Sequence, residues 1–231
     1  MDDSTYFRRE PPSHEPPVRE PIFNAPARAL VIPALILIGY GLQTLIGPQA
    51  NALLVDDFAL NPLLLRQGEL ELLVTHIFLH GSWTHAGMNA AFCLAFGAPI
   101  ARAMGKGAGG ALSFFAFFLI CGVIAGLGYC LLDWHSNVPA VGASGAISGL
   151  VAASMRLGSA PGTLRGLFSR QVLSMTFFWC LANAISAFFP SLMGAGGGVI
   201  AWQAHIVGYI CGALLIGPWL RLFHRQYFTT S

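Results

Sequence analysis

The chain has 231 residues, of which 55% are hydrophobic and only 10% charged, with a mean hydropathy of +0.64. A soluble domain carries roughly a quarter charged residues, so this composition excludes an ordinary cytosolic globule and identifies a membrane-embedded chain. The formal net charge of +2 is too small to attract a nucleic acid.

Residues 1–28 are polar, with Pro11, Pro12, Pro16, Pro17, Pro21 and Pro26 among mixed charges. Such a stretch cannot bury enough apolar surface to offset its ordering entropy, which predicts a disordered tail. It lacks the apolar core of a secretory signal, and its acids do not suit a transit peptide. Six apolar stretches follow: Ala29–Gly47, Thr84–Ala101, Ala111–Leu132, Ser144–Met155, Gln171–Phe189 and Val199–Leu220. They show no strand alternation, which predicts an all-α polytopic bundle rather than a barrel. The connection Pro48–Trp83 mixes acids with short apolar runs such as Leu72–Leu79, too short to span, so it is expected to lie in the interface or fold back on the helices. The organisation is thus a tail over 1–28, a six-helix core over 29–222 and a short tail over 223–231.

With six spans both termini share one side, and that side carries eleven of the twelve Lys and Arg residues; only Arg66 falls opposite. The positive-inside rule puts both termini in the cytoplasm. The five cysteines, Cys93, Cys121, Cys130, Cys180 and Cys211, are scattered in apolar runs and read as small buried residues rather than a disulfide or metal set.

Polar groups inside apolar helices cost a few kcal/mol each unless they face partners or water, so their identity is informative. No Asp or Glu lies within the six stretches. That absence excludes an aspartyl intramembrane protease, a His-Glu-x-x-His zinc protease and a carboxylate proton relay. What remains is His, Ser and Asn. His76, His80, His85 and Asn89 follow one another, and His85 and Asn89, at i and i+4, share a helix face. Ser144 opens the fourth stretch within Gly142-Ala143-Ser144-Gly145, and His205 opens the sixth.

By helix rise, Ser144 lies about 18 Å from Arg156, and His205 about 24 Å from Arg221. Both are therefore below the external surface of a core about 30 Å thick, where a helix start needs a hydrated cavity. Gly145-x-x-x-Gly149 and Gly208-x-x-x-Gly212 are small-residue seams that let helices approach closely.

A serine hydroxyl becomes a nucleophile when a base within hydrogen-bond reach takes its proton. A neutral imidazole is such a base. The tetrahedral intermediate also needs N–H donors at its oxyanion. The Ser144 amide, His85 and Asn89 are candidates. With no membrane acid to orient the imidazole, the site would be a Ser-His dyad. Singly, each residue also has a structural reading: a glycine-flanked Ser as packing, a His near a helix end as an interfacial group, Ser148 and Asn183 as helix–helix glue. Their coincidence on one side of an acid-free membrane chain favours an enzyme. A small transporter or channel would account for the glycines and the cavity but not for the Ser-His-Asn set.

Together, His80-Gly81-Ser82-Trp83-Thr84-His85-Ala86-Gly87-Met88-Asn89, Gly142-Ala143-Ser144-Gly145 and Ala204-His205-Ile206-Val207-Gly208 through Gly212 resemble the rhomboid family of intramembrane serine proteases. The resemblance covers residues 29–222. It implies a serine endopeptidase that cuts transmembrane protein substrates in or near their membrane segments. Ser144 would be the nucleophile and His205 the base. His85 and Asn89, with the Ser144 amide, would line the oxyanion hole, and His80 would be structural. It needs no metal or organic cofactor. It also implies the basic six-helix form of a bacterial inner membrane, with the site opening externally and no seventh span. A rhomboid-like membrane-protein binder without activity is the alternative. Two family features differ here. The Trp-Arg pair of the first external loop is replaced by Glu71-Leu72, and the Tyr one turn beyond the nucleophile is replaced by Ser148, so His205 must be held in another way.

Overall fold

The structure, a computed structural model, describes residues 25–160, 162–188 and 201–229. Of the tail expected over 1–28, residues 1–24 lie outside these residues, while Ala27 and Arg28 already belong to the first helix.

Within the described residues each of the six apolar stretches contains a helix: α1 (Ala27–Leu45), α5 (Trp83–Ala103), α6 (Gly107–Leu132), α7 (Ser144–Arg156), α8 (Arg170–Phe188) and α9 (Trp202–Phe223). Four of them, α1, α6, α8 and α9, are long and apolar enough to cross a membrane. The other two miss that standard for physical reasons. α5 has 21 residues but carries His85, Asn89 and Arg102. α7 has only 13 residues, a rise of about 20 Å against a hydrocarbon core of about 30 Å. The ends differ slightly from the sequence-based bounds. α5 begins one residue early because the Ser82 hydroxyl accepts the His85 N–H at 3.0 Å and caps the helix.

The connection between α1 and α5 folds back, as its short apolar runs require. It contains α2 (Pro48–Phe58), α3 (Pro62–Arg66), α4 (Leu72–Thr75) and a 3₁₀ turn over His76–Phe78. Leu72 and Ile77 are fully buried against the bundle.

α7 is the centre of the fold, packed against α5, α6, α8 and α9. Every residue from Gly145 to Ala153 is buried, so the helix has no lipid face to satisfy and consists mostly of small residues. The outer helices show the converse. α1 exposes Leu30, Val31, Leu35, Ile38, Leu42 and Leu45, and α8 exposes Leu173, Phe177, Phe178, Leu181 and Ile185. These are surfaces for acyl chains.

Backbone contact brings α7 and α9 together. A Cβ on Gly208 would lie 2.1 Å from the Gly145 carbonyl oxygen, and one on Gly212 would lie 2.0 Å from that of Gly149. The two glycine seams therefore mesh, and this sets the distance between residue 144 on one helix and residue 205 on the other.

Candidate active site

The approach to Ser144 is fixed by the connection between α1 and α5. Leu60 and Ala140 exchange backbone hydrogen bonds at 3.0 and 2.8 Å, and the Gly142 amide donates to the His76 carbonyl at 2.8 Å. The chain then turns into α7 through Gly142, whose φ of 117° lies in the left-handed region. A side chain there would also strike the His85 ring, 2.7 Å from an added Cβ. Glycine is thus required twice over.

Ser144 is the first residue of α7, so its amide has no intrahelical acceptor. Its hydroxyl lies 2.7 Å from His205 Nε2. His205 Nδ1 lies 2.7 Å from Asn183 Oδ1 on α8. Asn183 is only 6% exposed and its Nδ2 donates to the Trp179 carbonyl at 2.9 Å. Ser148, one turn beyond Ser144, donates its hydroxyl to the Ser144 carbonyl at 2.7 Å, a bond within the helix.

His85 and Asn89 project from α5 toward the same point. Both line a cavity of about 460 Å³ together with Ser144, His205 and Asn183. Asn89 Nδ2 is buried and has no hydrogen-bond partner. A buried unpaired amide costs about 1–3 kcal/mol, so the site holds a donor ready for an oxygen that arrives with a ligand. Toward the Arg156 end of α7 the cavity wall changes character. It is made of Phe92, Phe96, Val151, Met155, Met175 and Phe178, without a polar side chain among these six.

His80 lies behind the site and does not line the cavity. It is 1% exposed, and neither ring nitrogen makes a hydrogen bond of good geometry. Its ring stands edge-on to Tyr40 (centroids 6.4 Å) and to His85 (5.1 Å), and Tyr40 in turn meets Trp83 at 5.0 Å. α1 reaches this cluster through Gln43, which accepts the His80 amide at 3.0 Å and donates to the His80 carbonyl at 3.3 Å. Gln43 thereby ties α1 to the segment that leads into α5. Burial pushes His76 down to about 4, although its ring bond to the Leu72 carbonyl favours the charged form. Burial, and then the proximity of His85, pushes His80 down to about 3. Both rings are neutral at physiological pH.

The sequence-named residues Ser144, His205, His85 and Asn89 therefore converge on one cavity. Gly142, Gly145, Gly208 and Gly212 shape the backbone around it, and His80 supports it from behind. Sequence reasoning missed Gln43 and read Asn183 as helix glue. Asn183 does bridge two helices, but its acceptor end is on the His205 ring. The one available signal was that both are polar residues inside apolar stretches. Among the described residues no group of three His, Cys, Asp or Glu side chains is arranged to hold a metal ion.

A second Ser-His contact exists at the opposite end of the bundle, where Ser113 Oγ lies 2.6 Å from His224 Nε2. Ser113 also accepts the Trp219 indole N–H at 2.9 Å. This is a joint between α6 and the end of α9, remote from the cavity.

Residues 67–221 match the family model described as the Rhomboid domain. No curated protein matches the chain.

Proposed function

From the premise that the chain belongs to the rhomboid family, whose members are generally intramembrane serine proteases, we propose that this integral membrane protein is itself an active serine endopeptidase. Its substrates are membrane proteins, cut in or near their transmembrane segments. The observation that carries the reading is the 2.7 Å contact between Ser144 Oγ and His205 Nε2 in a cavity that also presents the unpartnered amide of Asn89.

The chemistry follows from those groups. Ser144 Oγ attacks the scissile carbonyl carbon as its proton passes to His205 Nε2. Charge gathers on the carbonyl oxygen, where the Ser144 amide, Asn89 Nδ2 and the His85 ring supply donors. The imidazolium returns its proton to the leaving amine, giving an acyl-enzyme. Water, deprotonated by the same imidazole, then releases the acid product. These steps require no metal and no organic cofactor.

The arrangement in the membrane follows from charge. All six long helices cross or enter the bilayer of a bacterial inner membrane. The arginine-bearing ends of α7 and α9 are cytoplasmic, as are both termini, and the cavity opens on the external side. Cysteines introduced at 157–169 should react only with reagents applied from the cytoplasm, and those at 134–140 only from outside. The reverse pattern would contradict this orientation.

Fluorophosphonate labelling of the purified protein tests the activity directly. The wild-type protein should be labelled and cleave a membrane-protein substrate, and Ser144→Ala should do neither. A wild-type protein that folds but neither labels nor cleaves would instead be the non-catalytic binder.

A further inference from the structure

The contact between α8 and α9 is built from one stripe of α8. Thr176 Oγ1 lies 2.8 Å from Tyr209 Oη, Trp179 stacks on the Tyr209 ring with centroids 6.0 Å apart, and Asn183 Oδ1 meets His205 Nδ1. Apart from this stripe, α8 buries little besides Val172 and Ser186. Of these contacts, the one at Asn183 reaches the His205 ring.

The orientation of the Asn183 amide is set by its surroundings. Its Nδ2 faces the Trp179 carbonyl, which only accepts. Turning the amide over would put two acceptor oxygens against each other. Oδ1 is therefore the atom on His205, and because it can only accept, His205 Nδ1 must carry the hydrogen. In that tautomer Nε2 has a lone pair and faces the Ser144 hydroxyl. In the other tautomer Nε2–H would point at Ser144 and no proton could be taken. One amide therefore decides whether the ring is a base.

Resting on the protease reading above, we infer that Asn183 is a positioning residue that holds His205 in the Nδ1–H tautomer with Nε2 aimed at Ser144. It does not touch the substrate. When the Ser144 proton moves to Nε2, the ring carries hydrogens on both nitrogens and a positive charge. The Nδ1–H then donates to the Asn183 oxygen dipole while Nε2–H is delivered to the leaving amine. The amide supplies orientation and partial charge but takes no proton.

The test uses the full chain in detergent, as wild type, Asn183→Leu and Asn183→Asp. Leucine removes the acceptor with little change in volume, and aspartate retains it. Three quantities are read: the rate of fluorophosphonate labelling, kcat and KM on a membrane-protein substrate, and the ¹⁵N spectrum of histidine-labelled protein, with the His205 signals assigned by their loss in His205→Gln. The wild-type spectrum should show Nδ1–H and a bare Nε2. Asn183→Leu should lower labelling rate and kcat about 10–100-fold with KM nearly unchanged, within the 10²–10⁴-fold that general-base catalysis contributes as a whole. Asn183→Asp should recover most of that loss.

An Nε2–H tautomer in the wild type would overturn the inference, and so would full kcat in Asn183→Leu. Equal losses in the leucine and aspartate variants, or a loss carried by KM, would also overturn it, because they mark a packing role. If Asn183→Leu does not fold, the wild-type spectrum and Asn183→Asp decide the matter. A wild type that neither labels nor cleaves but shows Nδ1–H would refute the protease reading and leave the tautomer assignment standing.

Discussion

Ser144 has no replacement nearby. The only hydroxyl one turn away, Ser148, donates to the Ser144 carbonyl and so is committed to the helix. His85 and Asn89 differ in this respect, because the proposed oxyanion hole has several donors and the Ser144 amide survives the loss of either side chain. His85→Ala and Asn89→Ala should each lower kcat by about 10²–10³, leaving slow, measurable cleavage. His205→Ala should leave none, as measured by product formation in detergent. These four residues were legible in the sequence because polar groups in apolar helices are conspicuous where no acid competes for attention. Asn183 and Gln43 were not. Each is a single polar residue in a span, and its meaning depends on which neighbouring helix faces it. Helix register is a property of packing, and it showed that Asn183 meets His205 where the usual aromatic partner is Ser148.

At the scale of elements, α7 and α9 are held at backbone distance by Gly145, Gly149, Gly208 and Gly212. Gly208→Val would drive methyl groups into the Gly145 carbonyl, where an added Cβ already lies at 2.1 Å. Overpacking of this kind costs about 1–3 kcal/mol or more, and here it also separates Ser144 from His205. The variant should melt at a lower temperature in detergent and lose labelling. An unchanged melting temperature would mean the seam is not under this constraint. The seams were readable from their spacing, and so were the six helices. What hydropathy could not distinguish is that α7 is surrounded by protein. A helix with no lipid face need not be strongly apolar, and α7 (Ser144–Arg156) is correspondingly rich in Gly, Ala and Ser.

For the whole molecule, the connection between α1 and α5 is where pH should act. His76 is buried, with a pKa of about 4 in the fold against 6.5 when exposed. Above pH 6.5 the ring is neutral whether the chain is folded or unfolded, and its burial carries no ionisation penalty. As pH falls below 6.5 the unfolded chain takes up a proton that the fold refuses until about pH 4. Stability is therefore full above pH 6.5 and falls across that window, by about 1.4 kcal/mol per pH unit, or roughly 2 kcal/mol by pH 5. His80, pushed down further, acts with the same sign. Melting temperature in detergent should fall from pH 7.5 to pH 5, and His76→Gln should flatten part of the slope. A melting temperature that rises on acidification would contradict the assignment.

The apolar inner wall of the cavity matters for the bilayer as an electrical barrier. A water-filled site that opens on one side shortens the distance an ion must travel to discharge the membrane potential. Beyond Ser148 the path along α7 meets Gly149, Leu150, Val151, Ala152 and Ala153, while Phe92, Phe96, Met155, Met175 and Phe178 line the cavity beside it. Moving an ion through such a layer costs several kcal/mol even by the gentlest scales, and none of these side chains carries a hydroxyl, amide or imidazole to relay a proton. On the proposed reading, hydrolytic water can therefore reach Ser144 while an apolar layer still separates it from the other face of the membrane.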